Sequence, residues 1–473
     1  MRRFFNMQFA ICILQFAIFF CAPLASRAIA AEPMRAGVAV VDITPPVPFR
    51  MSGYFMERLS TGTKDPLYAK AAVFQQGDQS AALVYCDLVG ISLEVSSAAR
   101  VKASEATGIP VDHIAISATH THTGPLYFGS LHDHLHERRV ERQGNDPYES
   151  SQYKAELIDK LASVIVKAQQ SVAAVELSAG FAAEDRISFN RRYHMKDGSV
   201  RFNPGQNNPD IVRPAGPIDP QVGIVLLRRP DSEKPFAAIV SFAMHCDTTS
   251  GTEYSADYPR YVEDRLRAAF GPDFTLLFGA GTCGDINDID VTASQRRGAE
   301  ALGTMLAETI ERAVNRPDTL SAVTPSLAVR STKVDTPLQA YSGGEIEEAR
   351  QKMYLVGTRE LPFLKQVEVT KIVDLKRWPG GRAALEVQVF RLGRDTAVVT
   401  LPAEIFVELG LRIKAASPFQ NNLVIELTND GLSYVPTRKA FAEGSYEIIN
   451  SRVQPGSGER LVEAAIGLLK ELE

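Results

Sequence analysis

Ile114-Ala115-Ile116-Ser117-Ala118-Thr119-His120-Thr121-His122-Thr123-Gly124-Pro125 is the stretch whose reading decides the fold. Its first six residues alternate and are small or β-branched, the pattern of a strand. Gly124 and Pro125 force a turn directly afterwards. Two imidazoles therefore stand at a strand's end, where a loop can open into a cleft. Residues two apart on a strand project to one side, so the pattern predicts the His120 and His122 rings side by side. Histidine is the commonest metal ligand and the side chain that carries protons near neutral pH. One ring can serve a metal and leave the other for proton transfer, but a zinc site needs further ligands from elsewhere in the chain. A pair of turn histidines with no ligand is the alternative this stretch leaves open.

Working outward, strands are expected at Val38 to Ile43, Ala71 to Phe74 and Ala81 to Tyr85, the last two joined by the turn Gln76-Gly77-Asp78. Tyr153 to Gln169 carries Leu157, Ile158, Leu161, Val164, Ile165 and Ala168 at helical spacing. Residues 201 to 220 are rich in Pro, Asn and Gly and predict a long irregular connection. Val222 to Leu227 and Phe236 to Met244 predict paired central strands, the second running into His245. A helix is expected to begin at Asp257-Tyr258-Pro259 and to end before Gly271. Phe274 to Phe278 reads as a short buried strand. Helices are expected near residues 295–313 and 344–356. The last third returns to strands at residues 385–392, 396–401 and 423–427, and an amphipathic helix from Glu459 to Leu472 closes the chain. Strands and helices alternate without a strict βαβ rhythm. The fold class is therefore α/β with mixed β-sheets flanked by helices, in one large domain over residues 31–473.

Residues 1–30 predict a signal peptide. Arg2 and Arg3 form a basic n-region, an apolar run extends from Phe9 to Phe20, and Ala28-Ile29-Ala30 offers a small-x-small cleavage site near Ala30. The run contains Gln15 and is short for a span, so no stable membrane span is expected after cleavage. Cys21 raises a lipoprotein as an alternative, but Phe19 and Phe20 stand where small residues are wanted. Export, to the periplasm or beyond the cell, is the expectation. Hydrophobic content of 45% and charged content of 23% are those of an ordinary globular chain. A formal net charge of −5 gives no electrostatic reason to bind nucleic acid. Cys86, Cys246 and Cys283, the cysteines beyond the leader, are too sparse for a disulfide framework, and buried apolar filler is the reading preferred over zinc ligation.

Several polar residues follow predicted strands: His245 after Met244, Glu404 after Leu401-Pro402-Ala403, Asp285 within Gly281-Thr282-Cys283-Gly284-Asp285-Ile286-Asn287, and Tyr434 after Asn429 to Ser433. Binding and catalytic groups favour such loop positions above a rigid sheet, although each of these residues also has a structural explanation, and spacing does not bring them together. Ser117 to Pro125, Ala243-Met244-His245, Leu401-Pro402-Ala403-Glu404 and Tyr434-Val435-Pro436-Thr437 resemble, in the same chain order, the zinc-binding segments of the neutral/alkaline non-lysosomal ceramidases. Asn190-Arg191 resembles that family's Asn-Arg segment, and Asp42-Ile43-Thr44-Pro45 its N-terminal strand end. The resemblance runs from about Val38 to Tyr446. It implies a catalytic-domain-like fold with Zn²⁺ held by His120, His245, Glu404 and Tyr434. His122 would then act beside the metal as proton carrier or hydrogen-bond donor, Arg191 would bind substrate, and Tyr446 would hydrogen-bond it.

The chain also departs from the family. Where ceramidases carry a site serine, this sequence reads Gly284-Asp285-Ile286-Asn287-Asp288, and an Asn287 amide can orient water or donate to an oxyanion but is not an ordinary nucleophile. The chain ends at Glu473, which leaves no room for the family's C-terminal β-sandwich and makes a membrane-embedded ceramide a less natural substrate. The expected activity is hydrolysis of an amide (N-acyl) bond by metal-activated water, with His122 or Asp285 managing the proton and Tyr446, Arg191 and Asn287 stabilising charge. A small-molecule or lipid N-acyl substrate, of the sphingolipid kind if ceramidase-like, is the expected partner. Two alternatives stand: a zinc hydrolase of a soluble ester, N-acyl sugar or phosphoester, and a non-catalytic binding protein on the same scaffold. Leu131-His132-Asp133-His134-Leu135-His136 holds three of the eight histidines. Read as alternation, it puts three rings on one face, as a second metal site or, preferably, a solvated loop.

Overall fold

Three mixed sheets carry the architecture of residues 32–473, the part of the chain described by the computed structural model. Residues 1–30, read in the sequence as a signal peptide, lie outside the described residues. In the first sheet Ile114–Ala118, Gln79–Cys86, Tyr68–Gln76, Arg35–Asp42 and Ala173–Ala174 lie in that order. The second runs Thr275–Ala280, Pro235–Phe242, Gln221–Arg228, Glu176–Ala183 and Leu320–Ala322, and the third Pro325–Pro337, Arg382–Gly393, Thr396–Thr400 and Asn421–Ile425. Each is antiparallel except at one edge, where a parallel pair forms: Gln79–Cys86 with Ile114–Ala118, Pro235–Phe242 with Thr275–Ala280, and Thr396–Thr400 with Asn421–Ile425. The Val/Ile/Leu/Ala-rich runs at these pairs are buried on both faces, as parallel strands require.

The three parallel edges meet. Ala118 N–H donates to Leu427 O at 3.1 Å, Asn429 N–H to Ile116 O at 2.8 Å, and Glu426 N–H to Ala280 O at 2.9 Å. Gly279 and Gly223 make this approach possible. A Cβ on Gly279 would lie 2.8 Å from Ile425 Cδ1, and one on Gly223 2.7 Å from Leu423 Cγ. Inward faces of all three sheets share one apolar core, including Phe74, Leu83, Ile239, Leu277, Phe390 and Ile425. Helices Leu93–Thr107 and Ser151–Gln170 cover the first sheet, Tyr258–Phe270 and Ala299–Asn315 pack together beside the second, and Val407–Ala416 with Ser457–Glu471 flank the third. The fold class is α/β with mixed sheets flanked by helices, as the sequence predicts. Among the described residues no helix is long and apolar enough to cross a membrane.

Three local expectations are corrected. Residues 201–220 are not wholly irregular: Val200–Phe202 and Ile211–Pro214 both pair with Arg192–Met195. The histidine tract is not extended but lies in the helix Ser130–Gln143, which ends on the left-handed Gly144. At about 100° per residue, His132 and His136 share a face, their rings stacked at 6.3 Å, while His134 points elsewhere. The helix near 295 starts only at Ala299, after Gly298. Cys86, Cys246 and Cys283 are buried free thiols, and Cys283 Sγ–H donates to Glu426 Oε1.

Candidate functional site

His120, His245, Asp285 and Glu404 sit just beyond the C-terminal ends of strands in the three parallel pairs, where open sheets bind ligands. The backbone there is strained. His120 has φ 75°, and the residues preceding Glu404, Tyr434 and Tyr446 have φ 69° (Ala403), 81° (Ser433) and 85° (Ser445). A non-glycine residue in this region costs about 1–2 kcal/mol and persists only where surroundings enforce it, commonly at functional sites. Here His120 N–H is held by Leu88 O at 2.9 Å and Glu404 N–H by Ser433 O at 3.0 Å. The strand itself stops at Ala118. His120 and His122 therefore converge through the left-handed turn at His120, not through strand alternation, and their Nε2 atoms are 3.4 Å apart.

Second partners fix the tautomers of two imidazoles. His120 Nδ1 is 2.6 Å from Val89 O and His245 Nδ1 is 2.8 Å from Cys283 O. A carbonyl only accepts, so each Nδ1 carries the hydrogen and each Nε2 presents a lone pair. These Nε2 atoms lie 3.3 Å and 3.5 Å from Glu404 Oε2, a buried carboxylate oxygen with no hydrogen-bond donor. Three lone-pair atoms thus face one another with no hydrogen among them. Ligand atoms about 2.0–2.1 Å from a tetrahedral ion are separated by roughly 3.4 Å, which matches these distances. The donor atoms of His120, His122 and His245 all lie within 4.8 Å of one another. The residues present fit a bound metal ion.

Protonation agrees with that role. Burial pushes His245 down to about 3, with the Arg191 charge acting in the same direction. Burial likewise pushes His122 down to about 4 against the opposing pull of Asp247. Both rings are neutral at pH 7 and free to donate electron pairs.

Tyr434 pairs with Glu404 in a short parallel bridge, so both side chains project together. Arg191 lies over this corner, its guanidinium 5.3 Å from the Tyr434 ring centroid and 5.7 Å from that of Tyr446. It donates to Glu447 Oε1 and Gly284 O, each at 2.8 Å, and its Nη1 reaches His245 Nε2 at 3.1 Å. Arg191 and an ion would therefore compete for one lone pair.

Asp285 and Asn287 are placed differently. Asp285 accepts from Val407 N–H at 2.9 Å and Asn190 Nδ2 at 2.8 Å, and burial pushes its carboxyl up to about 6. Asn287 Oδ1 accepts from Ile289 N–H at 3.1 Å while Nδ2 donates to Asn203 Oδ1 at 3.0 Å. Neither lines the cavity beside the imidazoles. Both hold the loops that do, so their expected catalytic roles find no support in this placement.

That cavity measures about 460 Å³ and opens between His122, Arg191, Tyr434 and Tyr446. Its apolar wall is a cluster of three rings: Phe202 and Tyr446 stack at 4.6 Å, and Phe363 and Tyr446 at 5.7 Å. An adjoining cavity of about 200 Å³, which shares His122, Tyr434 and Tyr446 with the first, reaches His120 and Glu404 against Val89, Leu126 and Phe128. Phe202, Phe363, Tyr54 and Asp247 line the larger cavity and were not singled out in the sequence. Asp247, just beyond His245, offered the one readable signal. The aromatics come from segments far apart in the chain that only the fold brings together.

No family model and no curated protein sequence matches the chain. Its structure does match solved ones. It resembles the neutral ceramidase from Pseudomonas aeruginosa with a TM-score of 0.70 at 19% identity, over 93% of this chain and 74% of that one. A second match, a ceramidase complexed with C2, has a TM-score of 0.69 at 18% identity, over 93% of this chain and 76% of the other. The fold is thus that of neutral ceramidase.

Proposed function

We propose that the protein is an exported zinc-dependent hydrolase of an N-acyl amide bond, with zinc held by His120, His245, Glu404 and Tyr434. The observation that carries the reading is the donor-free Glu404 Oε2 facing two Nε2 lone pairs at 3.3 and 3.5 Å. Nitrogen and oxygen donors of this kind suit Zn²⁺. When bound, zinc polarises a carbonyl and makes water a nucleophile near neutral pH. The chain's own groups do the rest. Tyr446 and Arg191 face the cavity next to His122 and would hydrogen-bond the negative charge that develops on the scissile carbonyl. His122 would manage the proton. The Phe202–Tyr446–Phe363 cluster would bury the apolar part of the substrate and shield the reacting groups from bulk water. Because Asn287 spends its amide on Ile289 and Asn203, no covalent intermediate through that position is part of the scheme.

Fold likeness to a ceramidase makes a lipid N-acyl substrate the first choice. A soluble N-acyl compound is the second, favoured by Asp247 and Asn203 in the cavity lining. Turnover of ceramides, short N-acyl amines, matched esters and phosphoesters by zinc-loaded protein tests the reading. Amide hydrolysis that disappears in Glu404→Gln together with zinc is the expected result. Cleavage of phosphoesters alone, or turnover undiminished by chelation, would overturn it.

A further inference from the structure

His122 Nδ1 is buried and has no hydrogen-bond partner. The polar atom facing it is Asp247 Oδ1, 3.8 Å away. Asp247 lines the larger cavity and is itself held: its Oδ1 accepts from the Tyr54 hydroxyl at 2.7 Å, and Arg296 bonds its backbone carbonyl. The loop that delivers Tyr54 also grips His122. Arg58 donates to His122 O at 2.7 Å while its guanidinium covers the Tyr54 ring at 4.3 Å. Gly53, at φ 100°, packs so closely that a Cβ there would lie 2.6 Å from His122 O. The Tyr54 and His122 rings meet edge to face at 5.9 Å. The backbone of His122 and the carboxylate beside its ring are thus fixed by one loop.

The unanswered chemical question is which nitrogen of His122 carries hydrogen. With Nε2–H, the ring would donate to His120 Nε2, 3.4 Å away, and spend the lone pair that the metal centre needs. With Nδ1–H, the hydrogen points at a carboxylate that only accepts, and Nε2 turns a lone pair to the centre. We infer that Asp247, braced by Tyr54, is a positioning residue that holds His122 as the Nδ1–H tautomer, so that Nε2 faces the centre as an acceptor. Under the hydrolase reading, on which this consequence rests, His122 then takes a proton from water and does not donate to the substrate carbonyl. At 3.8 Å the Asp247 carboxylate acts on the Nδ1–H as a facing charge rather than through a formed hydrogen bond.

The test is imidazole nitrogen NMR of the full chain, labelled with ¹⁵N-histidine and loaded with zinc, with His122 assigned by its loss in His122→Gln. Wild-type protein should show His122 with Nδ1–H and a free, pyridine-type Nε2, distinct from the zinc-bound Nε2 of His120 and His245. Asp247→Leu should move His122 alone towards Nε2–H, and Asp247→Glu should keep Nδ1–H. Tyr54→Phe, which deletes only the hydroxyl, should give an intermediate mixture if Asp247→Leu does not fold. A wild-type Nε2–H tautomer, or one unmoved in both Asp247→Leu and Tyr54→Phe, overturns the inference. With a cleavable amide, Asp247→Leu should lower kcat about 10–100-fold at nearly unchanged KM and zinc content, and Asp247→Glu should recover part of it. Expected tautomers without any turnover would sink the hydrolase reading and leave this one standing; the reverse pattern would do the opposite.

Discussion

Gly284→Ala is a substitution that reaches the proposed metal centre without replacing a ligand side chain. Gly284 N–H donates to Ile405 O at 2.9 Å, tying the Cys283–Asp285 loop to the segment that carries Glu404. A Cβ at this position would lie 2.8 Å from Glu404 O and 3.0 Å from Ile405 C and O. Ordinary contact begins at 3.4 Å, so the two backbones must part by about 0.6 Å, and no flexible side chain is there to yield. Overpacking of this kind costs about 1–3 kcal/mol, and stretching the hydrogen bond adds about 1 kcal/mol. A displacement of that size moves the Glu404 carboxylate off the imidazoles, so zinc affinity should fall about 10–100-fold, the range seen when a metal's supporting shell is disturbed. Chelator competition reads the affinity, and thermal unfolding without metal reads the 2–4 kcal/mol as a Tm lower by several degrees. Gly298→Ala is the matched control, since nothing lies within 4 Å of its Cβ. Wild-type zinc affinity and Tm in Gly284→Ala would refute the reasoning.

Other outcomes follow from the same geometry. Asp285 has its carboxyl raised from 3.8 to about 6. Its contribution to stability is complete below the unfolded value and is lost as pH rises through 6. Relative to Asp285→Asn, wild-type protein should therefore gain about 2–3 kcal/mol between pH 7 and pH 4, and a pH-independent difference in denaturant melts would contradict this. Ala403 sits at φ 69°, so Ala403→Gly should be neutral or stabilise by up to about 1 kcal/mol, whereas Ala403→Val should lower Tm; equal melting of the two would argue against the strained turn. Phe363→Ala removes one ring of the aromatic wall and should raise KM roughly tenfold for N-acyl substrates with apolar acyl groups while sparing kcat. A loss confined to kcat would place Phe363 in the chemistry.

Much of the site was legible because its residues sit in local contexts that speak for themselves. A β-branched strand ending in His120, another ending at His245, and Glu404 after Pro402-Ala403 all read correctly as loop positions above a sheet. The reason the rings converge was not legible. The sequence reading ended the strand at Thr119 and set the two rings side by side by strand spacing, whereas the structure stops the strand at Ala118 and turns at a left-handed His120, whose N–H is held by the Leu88 carbonyl. The tract around His132 misled for a related reason: alternating Leu and His mimic a strand locally, but Leu131 and Leu135 lie one helical turn apart and bury together with Val369 and Ile372. Asp285 drew attention as a polar residue after a strand, and its carboxylate serves Val407 and Asn190. Tyr54, Phe202 and Phe363 were invisible, because nothing in a sequence reports that segments so far apart share one cavity wall.

Metal stoichiometry tests the central claim most directly. Wild-type protein dialysed against zinc and then against metal-free buffer, and analysed by inductively coupled plasma mass spectrometry, should retain one zinc per chain. A folded His120→Ala/His245→Ala variant, which removes both Nε2 donors facing Glu404, should retain none. Wild-type protein that holds no zinc, or a double variant that holds as much as wild type, would contradict the account.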